Sequence, residues 1–343
     1  MKRQVLATPP IVGIAFAQVA DDGGFLLVSV PDMTITRTDS TGRIEWRSGR
    51  KGEGPGEYLS IDWVGRGIGE DWVIYDARSR RLTTLGTGGE VVEIWTLSGR
   101  GSFPVQRLPN GDLVAWRTRE HDVPNRRFRT LVEYVRIRSG TDSVEQLMVL
   151  PGAEMVGYRD ASWREVELGA AFFHGNAGTR LVYAATDRPE MLLFDSNGVL
   201  DRRVTWSQTR TPLSAAVLSM RRSSMSVAAE DASHRAAVVL PEMGGGPPAI
   251  ADSIPLIEDL VAGRDGHVWV RLFDADAMAP QQWWLFDSAG ALAGSIRLPA
   301  DVRVRYGAAV GLLATRVGET QDSVILFRTQ SRRTGQKAGD RER

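Results

Sequence analysis

The amino-acid sequence predicts an all-β fold, a six-bladed β-propeller of four-stranded antiparallel blades. Three observations lead to this prediction. A unit of four short strands separated by tight turns recurs six times, and the first two units are close copies of one another. The last unit is one strand short, and a propeller closes by borrowing that strand from the opposite end of the chain. A radial array of this kind can hold 343 residues in one domain.

The first two units cover residues 11–49 and 61–97. Each has a strongly apolar strand, then an alternating strand, a glycine-containing turn and a last strand. The turn is Ser40-Thr41-Gly42 in the first unit and Thr87-Gly88-Gly89 in the second. Alternating strands bounded by such turns are typical of antiparallel hairpins, so we label the four strands of each unit A to D.

Four further units follow with more variation. The third unit departs from the pattern by a charged insertion over residues 117–129. Phe194-Asp195-Ser196-Asn197-Gly198 of the fourth unit matches Phe286-Asp287-Ser288-Ala289-Gly290 of the fifth. The sixth unit has three strands only. These units cover residues 103–150, 170–206, 256–298 and 302–327.

Both ends of the chain and one long interruption complete the domain prediction. Residues 3–7 are free to supply the missing strand of the sixth blade, so residues 1–329 are predicted to form a single propeller. Residues 330–343 carry five basic and two acidic residues without apolar periodicity, which predicts a disordered tail. Between blades four and five, residues 207–253 interrupt the repeat. Pro212 fits a helix start, and apolar residues at helical spacing predict a helix there, namely Leu213, Val217, Met220 and Val227.

Composition excludes several classes of partner and site. The chain has 42 basic and 42 acidic residues, so no global field attracts nucleic acid or anionic lipid. No stretch approaches the length of apolar sequence needed to span a membrane. The chain has no cysteine, which excludes disulfides, thiolate zinc sites and cysteine nucleophiles. We expect a monomer with no nucleic-acid partner and no membrane span.

The N-terminal residues admit two interpretations. Met1-Lys2-Arg3 resembles the basic start of a signal peptide, and Ala15-Phe16-Ala17 resembles its cleavage site. However, Pro9-Pro10 interrupts the apolar segment, and residues 11–19 are needed as the first strand of the repeat. We therefore interpret residues 11–19 as a strand.

The segment Gly49-Arg50-Lys51-Gly52-Glu53-Gly54-Pro55-Gly56-Glu57-Tyr58 joins the first two units. At this segment the chain resembles a bacterial family of six-bladed propellers of uncharacterised function, in which a Gly-Arg-x-Gly-Glu-Gly-Pro-Gly-Glu-aromatic loop follows the first blade. It is also similar, more loosely, to NHL-repeat propellers. The resemblance implies the propeller fold and an extracytoplasmic setting, periplasmic or secreted. It implies no agreed activity.

Blade geometry predicts which face of the propeller carries the site. The A–B and C–D turns lie on one face, which we call the short-turn face. The B–C and D–A connections lie on the other, which we call the long-loop face, and all the long connections belong to it: residues 49–60, 117–129, 151–168, 207–253 and 274–281. Function tends to reside on loops held by a rigid scaffold. The candidate ligand-binding residues on this face are Arg50, Glu53, Glu57, Tyr58, Arg78, His121 and Arg188. The alternative is that the long loops only cap the central channel.

The leading functional prediction is a non-catalytic module that binds a protein or a small ligand, with no cofactor. No phosphate-binding glycine loop, nucleophile elbow or HExxH pattern is present. The alternative is a metal-dependent lyase or lactonase-type hydrolase with calcium or zinc at the propeller axis. The four histidines, His121, His174, His234 and His267, show no ligand spacing. Glu53 and Glu57 invite a calcium or general-base interpretation, but the glycines around them already have a backbone explanation.

Overall fold

The computed structural model describes residues 2–6, 10–97, 101–119, 126–141, 143–158, 163–229, 249–318 and 321–329, with backbone only at Lys2 and residues 226–229. The described chain forms six antiparallel sheets of four or five strands and one small two-stranded sheet. The predicted all-β, six-bladed propeller is therefore confirmed, including the helical insertion between blades four and five. The predicted disordered tail lies outside the described residues.

The strands follow the chain order of the predicted units. Blade one contains β2 Ile14–Val19, β3 Phe25–Ser29, β4 Thr34–Thr38 and β5 Ile44–Ser48. The connecting loop holds β6 Arg50–Lys51 and β7 Glu57–Tyr58, which pair in parallel. Blade two contains β8 Trp63–Arg66, β9 Trp72–Asp76, β10 Arg81–Leu85 and β11 Val91–Thr96. Blade three contains β12 Phe103–Arg107, β13 Leu113–Thr118, β14 Arg127–Ile137, β15 Val144–Gly157 and β16 Trp163–Glu165.

The second half repeats the arrangement. Blade four contains β17 Phe172–Ala177, β18 Arg180–Ala185, β19 Glu190–Phe194 and β20 Leu200–Thr205. Helix α1, Ala215–Ala229, follows it. Blade five contains β21 Ile257–Ala262, β22 Val268–Leu272, β23 Gln281–Phe286 and β24 Leu292–Leu298. Blade six contains β25 Val302–Ala308, β26 Gly311–Arg316, β27 Ser323–Arg328 and, as its outer strand, β1 Lys2–Val5 from the other end of the chain.

The core is divided among the blade interfaces. Six apolar clusters are found, and each joins two consecutive blades, including blades six and one. This follows from the strand pattern, because the B strands are apolar on both faces and every sheet is covered by a neighbour on each side. The adjacent tryptophans Trp283 and Trp284 illustrate it. Because successive side chains of a strand point to opposite faces of the sheet, Trp283 packs at the interface with blade six and Trp284 at the interface with blade four.

Two predicted features differ from the structure in detail. In blade three, β14 and β15 extend to 11 and 14 residues and pair far beyond the neighbouring strands, so residues 127–129 and 151–157 are strand rather than loop. Helix α1 does form, but its buried side chains include Arg221 and Ser224, whereas Met220 is 52% exposed. The apolar spacing located the helix but does not mark its packing face, because polar partners on blade five contact Arg221 and Ser224.

The short-turn face is bridged by charged side chains. Asp21 of the A–B turn in blade one contacts Arg66 of blade two at 3.2 Å and Arg264 of blade five at 2.7 Å. Blade six separates blades one and five in the ring, so this contact joins two blades that are not neighbours. Among the described residues, no helix is long and apolar enough to cross a membrane.

Candidate functional site

The predicted site residues are distributed around the long-loop face. Arg50, Glu53, Glu57 and Tyr58 belong to the connection between blades one and two, and Arg78 and Arg188 lie in the B–C turns of blades two and four. His121 lies outside the described residues. The chain topology therefore puts the six described residues at the same end of the molecule, but on separate blades rather than in one cluster.

The glycine-rich connection folds around the Glu57 carboxylate. This group accepts a hydrogen bond from the Gly54 N–H at 2.8 Å and another from Arg50 Nε at 2.7 Å. The Gly54 N–H and the Arg50 guanidinium hold the pKa of Glu57 below its ordinary value. An ideal Cβ at Gly52 would lie 2.2 Å from the same carboxylate. Glu57 thus organises its own loop, an internal role that the sequence did not reveal.

Three contacts attach this loop to blade two. The Arg81 guanidinium donates to the carbonyl oxygens of Glu53 and Glu57. The Leu59 N–H donates to the Asp76 carboxylate at 2.8 Å. Tyr58 is fully buried between blades one and two, and burial raises its pKa to about 12. Residues 49–60 therefore act as a clasp that fills the long-loop end of this interface. A ligand-binding role for Tyr58 stays a prediction, and its side chain lies within the core.

The next interface, between blades two and three, is not filled at the same end by any residue that the structure describes. A cavity of about 420 Å³ lies there, lined by Tyr75, Ala77, Arg78, Arg80, Gly101 and Phe103. Such a volume falls in the range of small-molecule sites. Its floor is aromatic, since the Tyr75 and Phe103 rings meet edge to face with centroids 6.3 Å apart. Its rim carries the two exposed arginines. Among the predicted site residues, Arg78 alone lines this cavity.

The turn that carries both arginines is rigidly supported. The buried Asp76 carboxylate accepts hydrogen bonds from the N–H groups of Leu59 and Ser79, and Asp62 accepts one from the Ala77 N–H. The Ser60 hydroxyl lies 2.8 Å from Asp76 and 2.5 Å from Asp62. Burial alone would raise the pKa of Asp76, but these hydrogen bonds outweigh it and lower the pKa. A preorganised platform of this kind presents side chains at low entropic cost.

Strand pairing reveals the counterpart of this turn in blade one. Asp76 pairs with Arg81 across the turn of blade two, as Ser29 pairs with Thr34 in blade one. Arg80 therefore corresponds to Met33, and both adopt a left-handed backbone conformation, with φ of 56° and 52°. By the same correspondence, Arg78 takes the place of Pro31. The same turn conformation thus carries apolar residues in blade one, beside the filled interface, and arginines in blade two, beside the cavity.

Arg78 and Arg80 also differ from Arg50 and Arg188 in their partners. Neither forms an ion pair with any residue that the structure describes. By contrast, Arg50 contacts the Glu57 carboxylate at 2.5 Å, and Arg188 lies 3.6 Å from Glu190. Free guanidinium groups at the rim of a cavity are available to an anion.

A second cavity of about 270 Å³ lies on the short-turn face between blades one and two. Its two arginines are paired. Arg37 contacts Asp22 at 2.5 Å, and Arg66 contacts Asp21 at 3.2 Å while stacking on Trp72. Both arginines of this cavity are therefore engaged by carboxylates of the protein, unlike those of the cavity on the long-loop face.

Helix α1 is held on the long-loop face by buried charges. Glu258, on the innermost strand of blade five, lies between Arg221 of the helix and Arg271 of β22, and all three side chains are 9% exposed. Arg221 also donates to the Asp274 carbonyl at 3.1 Å. Removing one member of such a buried group leaves another charge uncompensated, which costs about 3–5 kcal/mol. These ion pairs join the helix to blade five, so we assign the cluster to attachment of the insertion.

The described histidines do not converge. His174 lies between blades three and four beside Trp116, with its Nδ1 3.1 Å from the Tyr134 hydroxyl, and burial lowers its pKa to about 4. It is therefore a packed histidine rather than the surface residue that its scattered position suggested. His267 lies on the short-turn face, 3.3 Å from Asp265. Among the described residues, no group of three histidine or acidic side chains is placed to hold a metal ion; His121 and His234 lie outside them.

Sequence reasoning missed Tyr75, Arg80 and Phe103 of the open cavity. Two signals in the sequence could have located them. The connection into blade three covers only residues 97–102, against residues 49–62 for the connection into blade two. In addition, aligning the two B–C turns would have matched Arg78 and Arg80 to the apolar Pro31 and Met33.

Comparisons with known proteins support the architecture. A "Putative exported protein" of Bacteroides fragilis has a similar structure, with a TM-score of 0.54, 9% identity, and 96% and 95% of the two chains covered. A duf4221 family member of Bacteroides vulgatus matches with a TM-score of 0.54 and 10% identity over 95% and 96%. A virginiamycin B lyase of Staphylococcus aureus gives 0.44 and 10% over 95% and 99%, too low a score for any argument. No protein-family model and no curated protein matches the chain. At these identities the likeness concerns the fold alone.

Proposed function

We propose that this protein is a non-catalytic propeller that binds a small ligand through its long-loop face. The observation that carries the proposal is the cavity of about 420 Å³ between blades two and three. It lies on the face that holds the long connections and has a rigid turn, an aromatic floor and two arginines with no ion pair among the described residues. Concave, largely preformed sites with a few polar groups are the usual form of ligand-binding sites.

A further observation supports this choice of face. The short-turn face carries charged residues that pair with one another, and one of these contacts joins two blades that are not neighbours. The name of the Bacteroides fragilis protein refers to export. We propose an exported setting for this chain as well, in agreement with the family resemblance.

A mapping experiment tests the proposed function, because the chain has no native cysteine. Pooled small molecules are first screened against the parent protein by ligand-observed NMR, and any bound compound is recovered and analysed. Single cysteines are then introduced by Glu53→Cys or Arg188→Cys on the long-loop face and by Ala289→Cys on the short-turn face. All three positions are exposed. Each variant is coupled to a bulky maleimide polymer.

We expect binding to fall when either long-loop position carries the polymer and to persist when position 289 does. We also expect the ligand to be recovered unchanged, with or without added calcium or zinc. Conversion of a bound compound into product would contradict the non-catalytic proposal and favour the lyase or hydrolase. Blocking by the label at position 289 alone would move the site to the other face.

A further inference from the structure

We propose that the cavity between blades two and three is a site for a small aromatic anion, whose carboxylate or phosphate group binds Arg78 and Arg80. This inference rests on the proposed function and names the ligand class. It joins two properties of one cavity: positive charge at the rim and aromatic surface on the floor.

The rim favours an anion with two or more acceptor oxygens. A guanidinium binds carboxylate and phosphate through parallel N–H donors. Both arginines stand on one short turn, so their charges can act on a single group. The two carboxylates that support this turn, Asp62 and Asp76, are not among the residues that line the cavity. They accept hydrogen bonds from backbone N–H groups on the inner side of the turn, so they support the turn rather than neutralise the rim.

The floor favours an aromatic body attached to that anion. Phe103 is partly exposed and stacks on Trp116 with a centroid distance of 5.2 Å, which fixes the plane of its ring. Tyr75 meets it edge to face, and its hydroxyl is occupied by the Ser102 carbonyl at 3.0 Å. The Tyr75 hydroxyl is therefore not offered to the ligand, and the floor provides ring contacts. Aromatic pairs of this kind add to the free energy of simple burial.

The backbone of the turn is consistent with a binding role. Arg80 has φ of 56°, in the left-handed region that non-glycine residues rarely adopt. Such conformations concentrate at ligand sites when the surroundings hold them in place. In blade one the same conformation at Met33 packs a side chain against the clasp. In blade two it brings a cation to the cavity rim instead.

The test uses phenyl phosphate and benzoate as probes for the full-length protein, with calorimetry and ligand-observed NMR at low salt. Inorganic phosphate, phenol and benzylamine separate the charge from the ring. We expect both aromatic anions to bind more tightly than inorganic phosphate or phenol, and benzylamine to bind least. A preference for phenyl phosphate or for benzoate then distinguishes a phosphate ligand from a carboxylate ligand. Added salt should weaken binding of both anions.

Three variants locate the site. Arg78→Gln and Arg80→Gln should each weaken binding of phenyl phosphate about tenfold or more. Arg43→Gln is the control, because Arg43 is exposed in the C–D turn of blade one, on the short-turn face away from the cavity; it should change binding less than about twofold. Ala77→Leu, which occupies the cavity without altering charge, should abolish binding. Each variant is accepted only if it melts like the parent.

The proposal is overturned if the parent binds neither aromatic anion at up to about 10 mM, or if both glutamine variants bind like the parent. A ligand from the pooled screen that is blocked by labels at positions 53 and 188 but binds the Arg78→Gln/Arg80→Gln protein normally would retain the proposed function and reject this site. Failure of the screen and of the probes together would reject both.

Discussion

Two neighbouring interfaces of the propeller carry the same turn conformation but differ in how far their long-loop ends are filled by the described residues. Between blades one and two, the long-loop end is filled by the clasp, residues 49–60, with Tyr58 completely buried. Between blades two and three, the corresponding space is a cavity of about 420 Å³. The two connecting segments differ in length: residues 49–62 lie between β5 and β8, and residues 97–102 lie between β11 and β12.

The turn residues follow the state of their interface. Val30 and Met33 pack against the buried cluster that contains Tyr58. Their counterparts Ala77 and Arg80 line the cavity, where a smaller side chain and a charged one are both in contact with open space. A repeat protein can thus keep one backbone unit while the space beside it is filled in one blade and left as a cavity in the next.

The largest effect should come from emptying the filled interface. Tyr58→Ala removes a fully buried aromatic side chain, which should reduce the free energy of unfolding by about 3–5 kcal/mol. Phe103→Ala, at the open interface, removes a partly exposed ring beside existing empty space and should cost about 1–2 kcal/mol. Urea unfolding of the two variants measures the difference. Equal losses would mean that the two interfaces are not packed differently.

Asp76 connects the two regions, because its carboxylate holds both the clasp and the turn of the cavity. Asp76→Asn should cost about 1–3 kcal/mol at neutral pH, since a buried carboxylate loses charge-assisted hydrogen bonds. The pKa of Asp76 is lowered in the folded protein. Its contribution is therefore fully present above the unfolded-state pKa of about 3.9 and is lost as the pH falls through the lower folded-state value.

Unfolding curves of the parent and the Asp76→Asn protein at several pH values measure this contribution. The difference between them should be constant from neutral pH down to about pH 5 and shrink below about pH 4. A difference that stays the same down to pH 3 would show that the lost stability comes from geometry rather than from the carboxylate charge.

The propeller itself could be predicted from sequence because its signal is repeated. Alternating strands and glycine turns recur in six units, so an error in one unit does not hide the fold. The clasp was recognised for a different reason. Glycines indicate positions with an unusual backbone conformation, and Gly49 and Gly56 do have φ of 87° and 71°.

The content of the site could not be predicted as fully. Glu57 and Tyr58 are polar or aromatic residues on a long loop, which favours a binding interpretation, but a carboxylate can equally bind its own loop and a ring can enter the core. The cavity lies beside the short connection of residues 97–102. Space beside a short connection is not marked by any sequence motif. The pairing of Arg188 and the free state of Arg78 among the described residues become visible only when side chains are placed in space.

A smaller effect should follow from changing one glycine of the clasp. Gly56 has φ of 71°, and an added Cβ would lie 3.3 Å from Val91 Cγ2, so Gly56→Ala should cost about 1 kcal/mol through backbone strain. Gly294→Ala is the control, because its Cβ would have no neighbour within 4 Å and its φ is not positive. Thermal melting of both proteins compares them. A normal melting temperature for Gly56→Ala would show that the clasp adapts without its glycine.

The smallest effect on stability should come from replacing Arg80, in the turn beside the cavity, by the methionine found in the corresponding turn of blade one. Arg80→Met places in blade two the residue that occupies the corresponding left-handed position in blade one, where Met33 has φ of 52°. Since Arg80 is exposed and has no ion pair among the described residues, we expect the free energy of unfolding to change by less than about 0.5 kcal/mol. Binding of phenyl phosphate should nevertheless fall, because one of the two rim charges is lost. Denaturant unfolding and calorimetry on the same sample separate the two outcomes. A large loss of stability would give Arg80 a structural role in blade two, and the difference between the filled and the open interface would then no longer indicate a ligand site.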